Sequence, residues 1–218
     1  MKNLTKAVLL SAILCIAFSA TAQKNTRKNM NIKLNEPNYT LDVTLMNALQ
    51  NRQTQRNIST QELSWQQLSD VLWAANGINR ADSKKRTAPS ARNAQEIDIY
   101  VFTATGVFFY NPENHELVRR SDKDCRKDVC SQKMAADAPV TLLFVGNFDK
   151  MQGFDADAQA FYSATDAGFV SQNVYLYCAA ANLATVVCGS INRENAAKIL
   201  GLKNAKALLA QPLGYPAK

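Results

Sequence analysis

The sequence contains little histidine and lacks the motifs of several large enzyme classes. His115 is the one histidine among 218 residues, and the sequence offers it no convincing serine or cysteine partner. G-x-S-x-G, the Walker phosphate loop, G-x-G-x-x-G and H-E-x-x-H are all missing. These absences argue against enzyme classes that depend on a nucleophile elbow, a phosphate loop, a dinucleotide fingerprint or a zinc helix. A metal site is not expected, because Cys125 and Cys130 do not have C-x-x-C spacing.

Long apolar runs are missing beyond the N-terminus. The first residues combine basic Lys2 and Lys6, an apolar stretch over residues 7–19, and the small-x-small pattern Ala20-Thr21-Ala22 before Gln23. This pattern predicts a cleaved export signal over residues 1–22, with an uncleaved anchor as the alternative. The apolar stretch is too short to span a bilayer comfortably. We therefore expect a periplasmic or secreted protein without a stable membrane anchor.

The remaining chain is long enough for one domain with a full core. Residues 23–39 are predicted to form a polar leader, and residues 40–218 a single domain. Without Lys2 and Lys6 the net charge falls from +7 to about +5, which permits anionic ligands. No basic cluster interleaved with aromatic residues is present, so nucleic acid is not an expected partner.

Two amphipathic helices are predicted near the start of this domain. Leu41, Leu45 and Leu49 follow the i, i+4, i+8 spacing of a helix that ends near Arg52. A second helix begins with the capping-box pair Ser64 and Gln67 in "STQELSWQQLSDVLWAANG" and stops at Gly77.

The middle of the chain is predicted to be rich in β-strands. "IDIYVF" at 97–102 alternates, "GVFFY" and "HELVRR" flank a hairpin turn, and "APVTLLFVG" is apolar throughout, as a strand buried on both faces would be. A long helix over 157–183, with Phe161, Ala164, Gly168, Ser171, Val174 and Cys178 along one side, is a candidate subunit interface or a core helix. A short strand, a helix from Asn192 to Gly201 and a last strand complete an α+β sandwich.

Four cysteines follow the export signal. Cys125 and Cys130 lie in the charged stretch "DKDCRKDVC", where an oxidising compartment would allow them to pair. Cys178 falls in an apolar helical pattern and is predicted to be a buried hydrophobic residue.

Three stretches together resemble the flavin-dependent nitroreductases. "NRQTQR" at 51–56 is similar to the basic, Ser/Thr, basic signature that opens this family, and "PSARNAQ" at 89–95 to its Pro-Ser-x-x-Asn-x-Gln segment. "DAGFVSQNVYLYCAAANLATVVCGSI" resembles its long helix followed by a flavin-facing strand and turn. The branch with thiazole- and oxazole-forming dehydrogenases is the most similar, through "LSWQQLSDVLWAANGINR" and "LGYP". Glu96 and Ile97 stand where Pro-Trp is common.

The resemblance implies an α/β/α sandwich with a central mixed, largely antiparallel sheet flanked by helices, and FMN as cofactor. Arg52 and Arg56, with Thr54 as hydroxyl donor, would hold the FMN phosphate by charge-assisted hydrogen bonds. Gln53, which stands where a second basic residue is frequent, would be a further cofactor-binding residue. Ser90, Arg92 and Asn93 would engage the ring side, beside Pro89 and with Gln95 as a further contact or a brace. Cys188, Gly189 and Ser190 would present backbone N–H groups to the ring, while a redox-active Cys188 thiol is the alternative.

The resemblance further implies an oxidoreductase and a homodimer with two flavins at the subunit interface. Hydride would pass through flavin N5 to or from a small organic molecule, with no side chain assigned to catalysis. Two alternatives stay open: a flavin-binding module without catalysis, and a structural exported domain that has lost the cofactor.

Overall fold

The structure is a computed structural model that describes residues 31–217. Within this range the helices are α1 (Leu45–Asn51), α2 (Trp65–Asn76), α3 (Arg126–Val129), α4 (Lys133–Asp137), α5 (Ala156–Ala180) and α6 (Arg193–Leu200). The strands are β1 (Ile32–Lys33), β2 (Ile78–Arg80), β3 (Lys85–Arg86), β4 (Ile97–Thr103), β5 (Gly106–Asn111), β6 (Glu116–Ser121), β7 (Val140–Asn147), β8 (Ala184–Thr185) and β9 (Ala205–Gly214). The predicted export signal, residues 1–22, lies outside the described residues.

A seven-stranded sheet forms the centre of the domain, in the order β1-β6-β5-β4-β7-β9-β8. Every described strand pair in it is antiparallel. Helices α2 and α5 pack against one face of the sheet, and α3, α4 and α6 contribute to the apolar cluster on the other face. The predicted α+β class with helices flanking a largely antiparallel sheet is therefore confirmed.

Strand β7 lies at the middle of the sheet because its side chains are apolar on both faces. Leu142 and Phe144 point into the core with α5, and Leu143 and Val145 point into the core with α6. All four are no more than 1% exposed. Continuous apolar sequence thus predicts a strand covered by helices on both sides, as found.

Helix α2 begins and ends where its sequence predicts. The Ser64 Oγ accepts from the Gln67 N–H at 3.1 Å, and Gln67 Oε1 accepts from the Ser64 N–H at 3.1 Å. At the other end a Cβ on Gly77 would lie 2.7 Å from the Trp73 carbonyl oxygen, so a larger residue would not fit there without movement. Helix α1 starts later than its leucine spacing suggests, since Thr44 caps it by accepting from the Asn47 N–H at 3.2 Å.

The buried face of α5 differs from the predicted one. Ser171, Val174 and Cys178 are buried as expected, but Phe161, Ala164 and Gly168 are exposed. In the first half of the helix the core is instead filled by Ser163, Asp166, Ala167 and Val170. The predicted residues do not stay on one face of the helix, because their average spacing differs from 3.6 residues and the mismatch accumulates over seven turns.

The domain begins before residue 40. Ile32 and Lys33 pair with Leu117 and Glu116 of β6, and Leu34 is buried in the core. The described part of the predicted leader therefore belongs to the sheet, which moves the domain boundary to about residue 32. Within residues 31–217 no helix combines the length and the apolar character needed to cross a bilayer.

Candidate functional site

Tyr175 of α5 joins two of the three sequence stretches that were predicted to form one site. Its hydroxyl oxygen accepts from the Val187 N–H at 2.9 Å and lies 3.1 Å from Thr54 Oγ1. The Arg52 guanidinium stacks over its ring, 5.3 Å from the centroid. Tyr175 is only 7% exposed. Its contacts therefore hold the segment after α1 against the segment after β8 from the buried side.

The two arginines of this segment are available to an anion. Arg52 is half-buried and Arg56 is exposed, and among residues 31–217 neither forms an ion pair with a carboxylate. A backbone hydrogen bond from Gln55 N–H to Thr185 O, at 3.0 Å, fixes the chain between them. Two positive charges on a held segment are a suitable site for a phosphate.

A cavity of about 470 Å³ opens beside Arg52. Its walls come from the end of α1, the last two turns of α5, β8 and the C-terminal segment. The lining includes Gln50, Asn51, Arg52, Gln53, Gln55, Tyr175, Cys178, Ala179, Asn182, Leu183, Thr185 and Pro216. This volume falls in the range of small-molecule and cofactor sites.

The turn after β8 offers fewer backbone donors than its sequence suggests. The Cys188 N–H donates to Ala210 O at 2.7 Å, and the Cys188 carbonyl accepts from Ala210 N–H at 2.9 Å. This pairing removes Cys188 from the predicted set of N–H donors. Gly189 and Ser190 are exposed, and the hydrogen bonds described for residues 31–217 leave their N–H groups without a partner. Only these two can therefore donate to a ligand from this turn.

The polar stretch 89–95 forms a tight, strained loop before β4. Arg92, Asn93 and Gln95 have φ angles of 51°, 57° and 51°, which is uncommon for residues other than glycine. Ser90 Oγ accepts from the Gln95 N–H at 2.9 Å, and the Gln95 side-chain amide donates to Lys84 O at 3.0 Å. Gln95 therefore braces the loop, while Pro89, Arg92 and Asn93 are exposed.

This loop and the arginine segment contact α5 at different positions along the helix. Ala91 N–H donates to Asp166 Oδ2 at 2.9 Å, and the Arg92 guanidinium lies 4.5 Å from the centroid of the Phe154 ring. Asp166 precedes Tyr175 by nine residues, which is about 13 Å along a helix axis. The structure thus brings 52–56 and 186–190 together and holds 89–95 apart from them within one chain.

Glu96 is a buried carboxyl group directly behind this loop. It is 0% exposed, and neither of its oxygens has a hydrogen-bond partner of suitable geometry among the described residues. Burial and the nearby Asp166 carboxylate together raise the pKa of Glu96 to about 7, against a smaller lowering effect of Lys150. A buried carboxyl group beside a second carboxylate favours its protonated, neutral form. Glu96 therefore carries that proton at mildly acidic pH.

His115 has a serine partner that its sequence position did not suggest. Ser69 Oγ lies 2.7 Å from His115 Nε2, and Tyr110 Oη lies 2.9 Å from His115 Nδ1. Ser69 is 0% exposed and its hydroxyl also donates to Asn35 O. Burial lowers the pKa of His115. The group connects the N-terminal segment to α2.

Three residues of this region were not identified from the sequence. Tyr175 lies in an apolar helical stretch, and Asp166 and Glu96 each occur as single acids beside small or polar residues. The one available signal was Glu96 itself, a carboxyl group directly before β4, since a residue at the start of a buried strand is seldom charged without a partner. Their mutual contacts depend on how α5 crosses the sheet, which local sequence does not determine.

Comparison with known proteins finds one family over most of the chain. The model of the nitroreductase family matches residues 49–215. The curated protein "Putative nitroreductase MJ1384" of Methanocaldococcus jannaschii is 30% identical over 183 residues, which cover 79% of this chain and 91% of the relative.

Solved structures point to the same family and fold. A crystal structure titled as a putative nitroreductase from Ralstonia eutropha superposes with a TM-score of 0.81 at 37% identity, covering 86% of this chain and 90% of that one. The Escherichia coli microcin synthetase complex matches with a TM-score of 0.64 at 17% identity, covering 91% of this chain and 82% of that one. At this identity the microcin synthetase match shows a shared fold alone.

Proposed function

The chain belongs to the nitroreductase family of oxidoreductases, and on that premise we propose that it binds FMN and uses it to oxidise or reduce a small organic molecule. The observation that carries the proposal is the cluster around Tyr175, whose ring supports Arg52 and whose hydroxyl contacts Thr54 and Val187. A cavity of about 470 Å³ opens beside Arg52. When bound, FMN supplies hydride transfer at its N5 atom.

The residues of the cluster fit the phosphate end of this cofactor. An FMN phosphate carries close to two negative charges, and Arg52 and Arg56 provide two positive charges on a segment fixed by the Gln55–Thr185 hydrogen bond. Thr54 adds a hydroxyl, held 3.1 Å from Tyr175 Oη. Gln53 is exposed and lines the cavity beside Arg52. These groups would bind and orient the cofactor.

The flavin ring would contact the turn at Gly189 and Ser190. Both residues are exposed, and a Cβ at Gly189 would meet no atom within 4 Å, so a planar ring can approach the backbone closely there. Hydrogen bonds from two N–H groups would stabilise negative charge on the reduced ring.

The loop 89–95 would reach the flavin of a second subunit. Within one chain it lies about 13 Å along α5 from the arginine segment, but Pro89, Arg92 and Asn93 face solvent. A homodimer would supply the loop in trans, with Ser90 and Gln95 holding its shape. Large apolar side chains left exposed on α1 and α5 support such an interface: Leu45, Met46, Leu49, Phe161 and Phe169.

We further propose that the enzyme works outside the cytoplasm. The basic start, apolar stretch and small-x-small pattern of residues 1–22 support export. The donor and acceptor would then be molecules available in that compartment.

One experiment tests the cofactor and the activity together. Purified protein is mixed with excess FMN, desalted, and its absorbance spectrum recorded before and after addition of NADH, NADPH or dithionite, followed by a nitroaromatic acceptor. We expect one FMN per chain that a donor reduces and the acceptor reoxidises. Bound FMN that neither nicotinamide reduces and that transfers no electrons to the acceptor after dithionite would favour a binding module without catalysis. Colourless protein after desalting would contradict FMN binding.

A further inference from the structure

Cys130 and Cys188 form a thiol pair on the sheet face that α3, α4 and α6 cover. Each sulfur lies against the segment that follows the other cysteine, and the two thiols interact electrostatically. Cys188 Sγ also lies 3.4 Å from Gln132 Oε1, and Cys130 Sγ lies 3.8 Å from Ser190 O. Cys130 is 0% and Cys188 is 3% exposed, so the pair is enclosed by protein.

The backbone on both sides of the pair is already fixed. Asn192 N–H donates to Val129 O at 2.9 Å, which ties the end of α3 to the segment that follows Cys188. Cys188 itself exchanges two backbone hydrogen bonds with Ala210 of β9. The fold therefore holds the backbone segments that carry the two cysteines close together.

The other two cysteines are placed differently. Cys125 lies at the opposite end of α3 from Cys130, where burial and the charges of Asp128 and Asp124 raise its pKa. Cys178 is buried in the core on the other face of the sheet, with α5. The pairing of Cys125 with Cys130 that the sequence suggested thus has a structural competitor, since Cys130 Sγ lies against Ser190 O and Cys188 Sγ against Gln132 Oε1.

We propose that Cys130 and Cys188 are joined by a disulfide bond when the chain meets a disulfide oxidant such as oxidised glutathione. The bond would close a ring that contains α4, β7, α5 and β8. It would also attach α3 to the residue that precedes Gly189 and Ser190. The inference rests on the thiol geometry and not on flavin binding.

The reaction is two steps of thiol–disulfide exchange. The Cys130 thiolate, which forms readily because the neighbouring Cys188 thiol lowers the pKa of Cys130, attacks one sulfur of oxidised glutathione and releases one glutathione thiolate. The Cys188 thiolate then attacks the Cys130 sulfur of the mixed disulfide and expels the second glutathione. Two electrons pass to one oxidised glutathione, and the two thiol protons reach the two glutathione thiolates through solvent, which gives two molecules of glutathione. Because both sulfurs are buried in the folded chain, exchange takes place as the chain folds or opens locally.

Peptide mapping of the full chain tests the proposal without flavin. The protein is equilibrated with oxidised glutathione, blocked with iodoacetamide in denaturant and digested without reductant. Trypsin separates Cys125 from Cys130 at Arg126 and Lys127, and chymotrypsin separates Cys178 from Cys188 at Leu183. We expect one cross-linked peptide that joins Cys130 to Cys188, with Cys125 and Cys178 alkylated.

Variants supply an independent readout. Dithiothreitol should lower the Tm of oxidised wild type by roughly 10 °C, as expected for a ring of about 58 residues. The matched variant Cys125→Ser should behave like wild type, and Cys130→Ser should show no such shift. A Cys125–Cys130 link, or four alkylated cysteines after oxidation, would overturn the proposal even if the Cys130→Ser variant fails to fold.

Discussion

The Arg52 guanidinium lies over the ring of Tyr175, 5.3 Å from its centroid, while the hydroxyl of the same ring accepts from the Val187 N–H. One side chain of α5 thus positions both the cationic segment after α1 and the turn after β8. Because Tyr175 is 7% exposed, its contacts are shielded from water, and the arginine it supports loses less conformational freedom on binding an anion. This arrangement leads to predictions for the arginines and for the tyrosine.

The arginines are predicted to bind the phosphate of FMN. Arg52→Ala and Arg56→Ala each remove a charge-assisted hydrogen bond worth roughly 1.5 to 3 kcal/mol, so the affinity for FMN should fall about tenfold to a hundredfold. Riboflavin lacks the phosphate, and its affinity should hardly change. Fluorescence titration of each variant with both ligands measures the difference.

Arg80→Ala is the matched control, because Arg80 is an exposed arginine on the β2–β3 hairpin. It should leave both affinities unchanged. Equal losses of FMN and riboflavin affinity in the Arg52 and Arg56 variants would show that these side chains act on the fold and not on the phosphate.

Tyr175→Phe is predicted to weaken both the fold and the site. The change leaves the Val187 N–H without its acceptor and Thr54 without its partner at 3.1 Å. The free energy of unfolding in urea should fall by about 1 to 2 kcal/mol. The affinity for FMN should fall severalfold, whereas a control variant should keep the wild-type affinity. Tyr162→Phe serves as that control, since Tyr162 is 39% exposed on the same helix. Unchanged stability and affinity would rule out the supporting role of Tyr175.

Local sequence predicted the elements of this fold well where one physical signal dominates. The Ser64–Gln67 capping box, the apolar run of β7 and the left-handed Gly201 after α6 are each determined by neighbouring residues. The edge strand β1 was not predicted, because two residues that pair with β6 leave no periodic pattern. The prediction of the buried face of α5 was wrong for the first half of the helix, because that face depends on where the helix meets the sheet.

The candidate site was predictable only as three separate stretches. The resemblance in "NRQTQR" and "VVCGS" drew attention to both parts of the Tyr175 cluster, but not to Tyr175, whose role appears only when α1 and β8 meet across α5. Cys130 and Cys188 are 58 positions apart in the sequence, so their contact is a property of the tertiary fold. Sequence spacing favoured the nearer Cys125.

Met46→Glu is predicted to disrupt a homodimer. Met46 is 71% exposed on α1 beside Leu45, which is 64% exposed, and a carboxylate there would have to be desolvated at an apolar interface. Light scattering of wild type at micromolar concentration should give twice the mass of one chain, and the variant should dissociate at least tenfold more readily. Lys203→Glu, on an exposed turn after α6, should leave the mass unchanged. A wild-type monomer with FMN bound would contradict the dimer.

Glu96→Gln is predicted to change how stability depends on pH. The pKa of Glu96 is raised from 4.5 to about 7 in the folded chain, by burial and by the Asp166 carboxylate. A raised carboxyl pKa means that the native state holds the proton to higher pH than the unfolded chain does. The stability contributed by the protonated pair is therefore complete below about pH 4.5 and is lost as the pH rises through about 7, by at most about 3 kcal/mol.

The glutamine variant keeps the shape and a donor without the charge, because its amide N–H can donate to Asp166 at every pH. Urea unfolding at pH 5 should give wild type and Glu96→Gln similar free energies of unfolding, whereas at pH 8 the variant should be the more stable by about 1 to 3 kcal/mol. Glu62→Gln removes an exposed carboxylate and should track wild type at both pH values.

Since Glu96 lies directly behind loop 89–95, the same deprotonation should loosen that loop. Hydrogen exchange of the Ala91 amide, which donates to Asp166 Oδ2 at 2.9 Å, should then accelerate between pH 5 and 8 in wild type beyond the intrinsic pH effect, and less so in the variant. Parallel pH profiles for wild type and Glu96→Gln would mean that Glu96 does not hold a proton with a raised pKa in the folded chain.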